Sequence, residues 1–197
     1  MQTEKIVVDS SGVGLADALD AAEKFARQSG LDEKQTRRVR LLSEETLAMV
    51  RAIVVNFQAT FWLEKMPNGC KIHLAAETAM DYIKKQDLID VSTKRRNEAS
   101  VGIMGKIRDI IEDSCSGFAY AGGTSTGLGV ASTGYDSYLW TLKQYREDLQ
   151  DGRAENDPVW AEKLAEVEHS IVANLADDVS VSVRGNRVEM IIEKLWR

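Results

Sequence analysis

Apolar positions recur along this chain with two different periods, and the switches between them mark out its elements. A short apolar run, Glu4–Asp9 (EKIVVD), is closed by Ser10–Ser11–Gly12 and reads as a β-strand ending in a turn. Leu15, Ala18, Leu19, Ala22, Phe25 and Ala26 then fall at helical spacing. Residues 15–28 are therefore expected to form a helix with one buried face, and Gly30 suits its C-terminal cap. Asp32, with Gln35 three residues on, has the form of a capping box and opens a second helix expected to run to about Val55. The main stripe of that helix is Val39, Leu42, Thr46, Met49, Val50 and Ile53. At ~100° per residue, Glu45 falls on the flank of the stripe and Glu44 farther toward solvent.

The period then changes to two. Thr60–Glu64 and Cys70–Ala76 read as paired strands around Pro67–Asn68–Gly69, a hairpin signal. In the second strand Cys70, Ile72, Leu74 and Ala76 share one face, and Lys71, His73 and Ala75 the other. Near the other end of the chain, Pro158–Leu175 has the pattern of an amphipathic helix with Pro158 in its first turn. Val179–Arg184 alternates, Gly185–Asn186 turns the chain, and Arg187–Lys194 returns with Val188, Met190 and Ile192 inward. The middle carries two further expected helices, Val101–Ser114 and Tyr135–Leu149. Between them lies a stretch rich in Gly, Ser and Thr, residues 119–134, with the composition of a mobile loop or lid. The order β–α–α–β–β, a long middle, then α–β–β predicts an α/β (α+β) two-layer sandwich. It would hold a mixed, mostly antiparallel sheet of about five strands with helices on one face. The 197 residues are expected to form one domain with a helical, Gly-rich insertion at about 82–157.

Composition narrows the function classes. A net charge of −6 argues against a nucleic-acid surface, and the one basic cluster, Lys94–Arg95–Arg96, is short enough for a solvated turn. No apolar run approaches the ~18 residues needed to span a bilayer, and the N-terminus lacks the pattern of a signal peptide. Cys70 and Cys115 form neither a disulfide framework nor a metal spacing, and read as buried thiols of a cytoplasmic protein. His73 and His169 read as satisfied or exposed histidines. No Ser–His–Asp order, HExxH, CxxC or Walker sequence is present, so hydrolase and metalloenzyme readings have no anchor. Trp140 reads as a core contact of its helix, with an exposed docking face alongside Tyr138, Leu139 and Tyr145 as the alternative.

Two segments carry a resemblance. Residues 31–54 resemble the helix of the GHKL, or Bergerat-fold, ATPases on which a Glu is followed four residues later by an Asn. Residues 170–195 (SIVANLADDVSVSVRGNRVEMIIEKL) are similar to that family's last helix and closing hairpin. The N-terminal strand and the Pro67–Gly69 hairpin lie where the family puts them. The nearest likeness is to the small anti-sigma factor and serine-kinase branch, related to histidine kinases and found in bacterial signalling and transcription regulation.

The resemblance implies a chemistry. A Glu activates the attacking group, and the Asn one turn on holds Mg²⁺ against the phosphates. Glycines let the backbone approach adenine and phosphate. Carried over, Glu45 takes the place of the base. Met49 stands where the metal-binding Asn is expected, and a thioether is a poor Mg²⁺ ligand. Where the family has Asp–x–Gly–x–Gly, this chain has Glu77–Thr78–Ala79–Met80–Asp81, an acid without the glycines. Glu77 and Asp81 are the candidates for reading adenine. Gly127 and Gly129, in the Gly-rich stretch, are the candidates for a phosphate turn.

The expectation is therefore a regulatory protein-binding domain of ATPase-like ancestry. It would bind a sigma factor or an anti-sigma antagonist, self-associate as a homodimer, and have weak or no ATP/ADP and Mg²⁺ binding. One alternative is an active Mg-ATP-dependent serine kinase or ATPase, with Glu45 as base, Glu44 as substitute metal ligand and Gly122–Gly134 closing over phosphate. A second alternative is an α/β interaction module unrelated to that family.

Overall fold

The computed structural model describes residues 1–53, 57–77, 106–107, 130–132, 137–154, 165, 167–168, 170–184 and 187–196. Strand β1 (Ile6–Asp9) leads through a turn into helices α1 (Leu15–Gln28) and α2 (Glu33–Ile53). The hairpin β2 (Gln58–Met66) and β3 (Gly69–Glu77) follows. Beyond it lie β4 (Val130–Ser132), β5 (Ser137–Thr141), α3 (Leu142–Ala154), α4 (Ile171–Leu175), β6 (Asp178–Arg184) and β7 (Arg187–Leu195). The strands form one seven-stranded sheet in the order β1-β2-β3-β7-β6-β5-β4. The fold is α+β, with helices packed on the sheet as the sequence predicts.

Two features differ from expectation. Among the described residues every pairing is antiparallel, where a mixed sheet was expected. The sheet also has seven strands rather than about five, because β4 and β5 come from the middle of the chain. Of the predicted helix Tyr135–Leu149, Ser137–Thr141 is strand, and the helix starts at Leu142. The physical reason lies in Trp140. It stands opposite Val181 in the β5–β6 ladder and is fully buried beside Val179, Val181 and Val183, whose strand would otherwise end in an open edge. The helical period starts only with Leu142, Tyr145 and Leu149, all buried.

The inner face of the sheet can be followed across its registers. Ile6 pairs with Phe61, Phe61 with Leu74, Leu74 with Met190, Met190 with Val181, and Val181 with Trp140. Alternation keeps every second residue on this side. Phe61, Leu63, Ile72, Leu74 and Met190 are fully buried, each stabilising the fold by roughly 1.5–3 kcal/mol. The buried stripes of α1, α2, α3 and α4 join the same core. In α1 the buried positions are Ala18, Ala22, Phe25 and Ala26, and three alanines allow close approach to the sheet.

The local signals at the helix ends are realised. Asp32 N–H donates to Gln35 Oε1 at 3.2 Å and Gln35 N–H to Asp32 Oδ1 at 2.7 Å, the reciprocal bonds of a capping box. Gly30, at φ 82°, ends α1, with Leu31 N–H reaching Ala26 O and Gly30 N–H reaching Arg27 O. Between β1 and α1, the Asp9 carboxylate accepts from the Ser11 hydroxyl at 2.6 Å and from the backbone N–H of Ser11 and Val13. The hydroxyl bond first, and then the backbone bonds, hold its pKa below the ordinary value. The predicted helix Pro158–Leu175 is not continuous: Ser170 is extended (ψ 126°), and its Oγ accepts from Ala173 N–H to begin α4. Of Val101–Ser114, the described residues Lys106 and Ile107 are helical, and Ile107 is fully buried.

Candidate functional site

The face of α2 on which the resemblance places its chemistry is mostly apolar. Leu42, Met49 and Val50 are buried, and Thr46 and Ser43 are buried with them. The two hydroxyls are satisfied within the helix, Ser43 Oγ donating to Val39 O at 2.9 Å and Thr46 Oγ1 to Leu42 O at 2.6 Å. Glu44 is exposed and Glu45 half-buried, as the 3.6-residue period requires. One turn beyond Glu45, Met49 is only 4% exposed and belongs to the main core with Leu42, Val50 and Phe57. Its thioether packs, and it offers no hard oxygen to Mg²⁺. Among the described residues no group of three His, Cys, Asp or Glu is placed to hold a metal ion. The described residues at this point of α2 do not fit a bound magnesium.

Glu77 ends β3, exposed, with Gln58 and Arg187 as its ladder partners. The chain leaves α2 at Ile53 and enters β2 at Gln58, so the C-terminal end of α2 and the Glu77 end of β3 share one end of the layer. Glu44, Glu45, Met49 and Glu77 are thus the expected site residues for which the structure gives positions. Asp81, Gly127 and Gly129 lie outside the described residues, as do His169, Cys115, Lys94–Arg96 and the greater part of the 119–134 stretch.

The sheet's outer face holds a cluster absent from the sequence-based expectations. Trp62 and His73 are ladder partners, and their rings stack with centroids 4.6 Å apart and planes 7° apart. Lys5 Nζ lies 4.8 Å from the Trp62 ring centroid, a cation–π contact. Glu64 Oε2 is 3.4 Å from His73 Nε2, and Glu189 Oε1 is 3.7 Å from Nδ1. Beside them Lys71 pairs with Glu193 at 2.8 Å. His73 is buried rather than exposed, at 7% exposure, and among the described residues its two ring nitrogens face the Glu64 and Glu189 carboxylates without a well-aligned hydrogen bond to either. Burial pushes its pKa below the ordinary value, against the opposing pull of Glu189 and Glu64. The signal was in the turn. A two-residue loop at Pro67–Asn68 makes Met66 and Gly69 partners, and counting back from that pair sets Trp62 opposite His73.

Cys70, on the inner face, is a buried thiol whose pKa is pushed up to about 12 by burial. No protein-family model, curated protein or solved structure matches this chain.

Proposed function

We propose that this chain is a regulatory protein-binding domain of ATPase-like ancestry, in which nucleotide binding is weak or lost. The observation that carries the reading is the burial of Met49 in the core one helical turn after Glu45. A position that would anchor Mg²⁺ in a GHKL-type ATPase serves packing instead. The partner is a protein of the sigma-factor or anti-sigma-antagonist type, gripped through the helical layer, and the same layer mediates self-association. In support of that surface, Leu41 of α2 and Leu175 of α4 line one shallow groove, and Ile171 stands 47% exposed at the start of α4.

Isothermal titration with ATP in the presence of Mg²⁺ tests the nucleotide half of the proposal. The expected result is no tight, magnesium-dependent binding. A saturable, magnesium-dependent isotherm in the micromolar range or tighter would overturn it, and would favour the kinase reading with Glu45 as base. Sedimentation across protein concentration tests the association half. A Leu41→Asp/Ile171→Asp double variant should shift the distribution toward monomer, and no difference from the parent would remove the helical layer as the interface.

A further inference from the structure

At the other end of the sheet from Glu77 a cavity of about 430 Å³ opens between the start of α2, the α3 and α4 helices, and the last residues of β7. Glu77 pairs with Arg187 and Gly69 with Leu195, at opposite ends of the β3–β7 ladder, so the cavity lies on the order of 25 Å from Glu77. Its volume is in the range of small-molecule sites. Its walls are mainly polar: Gln35 and Arg38 from one face of α2, Arg146 from α3, Asp177 and Lys194, with Trp196 also in the lining.

The charges do not cancel. Lys194 Nζ and Asp177 Oδ2 pair at 2.8 Å with both side chains 16% exposed, and Leu195 N–H also donates to that Asp177 oxygen at 2.7 Å. This leaves two guanidiniums. Arg146 is held in place by Nη2–H donating to Ala173 O at 2.5 Å. Among the described residues neither Arg38 nor Arg146 is paired with a carboxylate, whereas the nearby Arg37 and Arg40 are both paired. Gln35 has its Oε1 engaged by Asp32 N–H, which turns its amide NH₂ to other use.

From this we propose that the cavity is a binding site for the phosphate monoester of a small metabolite. Two guanidiniums without a carboxylate partner among the described residues match a dianion. A phosphate monoester carries about −1.5 to −2 at neutral pH and presents oxygens that a guanidinium fork engages two at a time. A carboxylate would leave one cation uncompensated. The Gln35 amide supplies a neutral donor, and the Trp196 wall suits the uncharged body of the ligand. The site is separate from the α2–β3 end, uses no metal, and does not rest on the proposed regulatory function.

The test is isothermal titration and thermal denaturation of the full chain in EDTA, with 5′-AMP, glucose 6-phosphate and inorganic phosphate as probes. Adenosine, glucose and acetate serve as controls, with chloride matching the ionic strength. At least one monoester should bind saturably and raise Tm with concentration while its unphosphorylated parent does not. The comparison of AMP with glucose 6-phosphate tells a nucleotide source from a sugar-phosphate one. Arg38→Gln, at an exposed position, should weaken that binding about ten- to hundred-fold without lowering the Tm of the unliganded protein. Arg146→Lys keeps the charge and loses the fork, and should weaken it as well. The proposal is overturned if no phosphate probe does more than chloride, or if Arg38→Gln binds like the parent. Because magnesium is absent throughout, that failure is distinct from the outcome of the Mg-ATP titration.

Discussion

Replacing Met49 by asparagine restores the residue type that the resemblance expects and so sets packing against metal binding in one experiment. Met49 is 4% exposed in the cluster with Leu42, Val50 and Phe57. Truncating a buried methionine costs roughly 2–5 kcal/mol. Asparagine refills part of that volume but takes an amide out of water, at about 1–3 kcal/mol where no partner stands ready. The lower helix propensity of Asn adds a few tenths. Met49→Asn is therefore expected to lose about 3–5 kcal/mol, which for a chain of this size lowers Tm by roughly 6–20 °C. Met49→Leu conserves volume and polarity and should lose less than about 1.5 kcal/mol. Urea unfolding followed by circular dichroism gives both values, with a lower midpoint at unchanged slope marking a pure stability effect. The reasoning is refuted if Met49→Asn lies within about 1 kcal/mol of the parent. It is equally refuted if the variant gains a magnesium-dependent ATP isotherm, because the position would then face a retained nucleotide cavity rather than the core.

Three further outcomes follow from the geometry. Gly14 has φ +74°, and a Cβ there would lie 2.0 Å from Val7 O, so Gly14→Ala should destabilise by about 2–4 kcal/mol. Gly30→Ala, at φ +82° with open space around it, should cost only about 1–2 kcal/mol, and equal losses in urea unfolding would contradict the steric argument. The pKa of His73 is lowered in the fold, so as pH falls below about 6.5 the unfolded chain takes up this proton first. Stability should be fully present above that pH and decline as pH drops toward the folded-state value, and His73→Gln should flatten that slope; identical pH profiles would exclude His73 as its source. In a Cys115→Ser background, Cys70 should resist a thiol reagent at pH 8 in the fold and react readily in urea, and fast reaction of the folded protein would contradict its burial.

The helix-covered half of the molecule was legible because its signals are local. The boundaries of α1 match the expected residues 15–28, and the Asp32–Gln35 box forms as the spacing implies. The inward sets of β3, β6 and β7 follow from alternation alone. Reading Tyr135–Leu149 as helix held from Leu142 on but failed over Ser137–Thr141, because YLWT satisfies a helical count nearly as well as a strand count. The decision fell to an unpaired ladder on β6, which lies some forty residues away in sequence. The break at Ser170 was hidden for a related reason, since a Ser inside an amphipathic run is read as tolerated until its hydroxyl is seen capping α4.

The same division holds for chemistry. Sequence by itself determined that Met49 follows Glu45 by one turn on an α-helix, that Cys70 faces inward, and that the chain folds as helices on a sheet, because period and capping act over a few residues. Tertiary structure decided what no local pattern carries. The hairpin turn aligns Trp62 and Glu64 with His73, but only the pairing of β3 with the distant β7 brought Glu189 to the same imidazole. The meeting of α2, α3 and the end of β7 left Arg38 and Arg146 in one cavity without carboxylate partners among the described residues. Charge pairing and burial depend on which distant segments the core draws into contact, and that is a property of the packed chain rather than of any window along it.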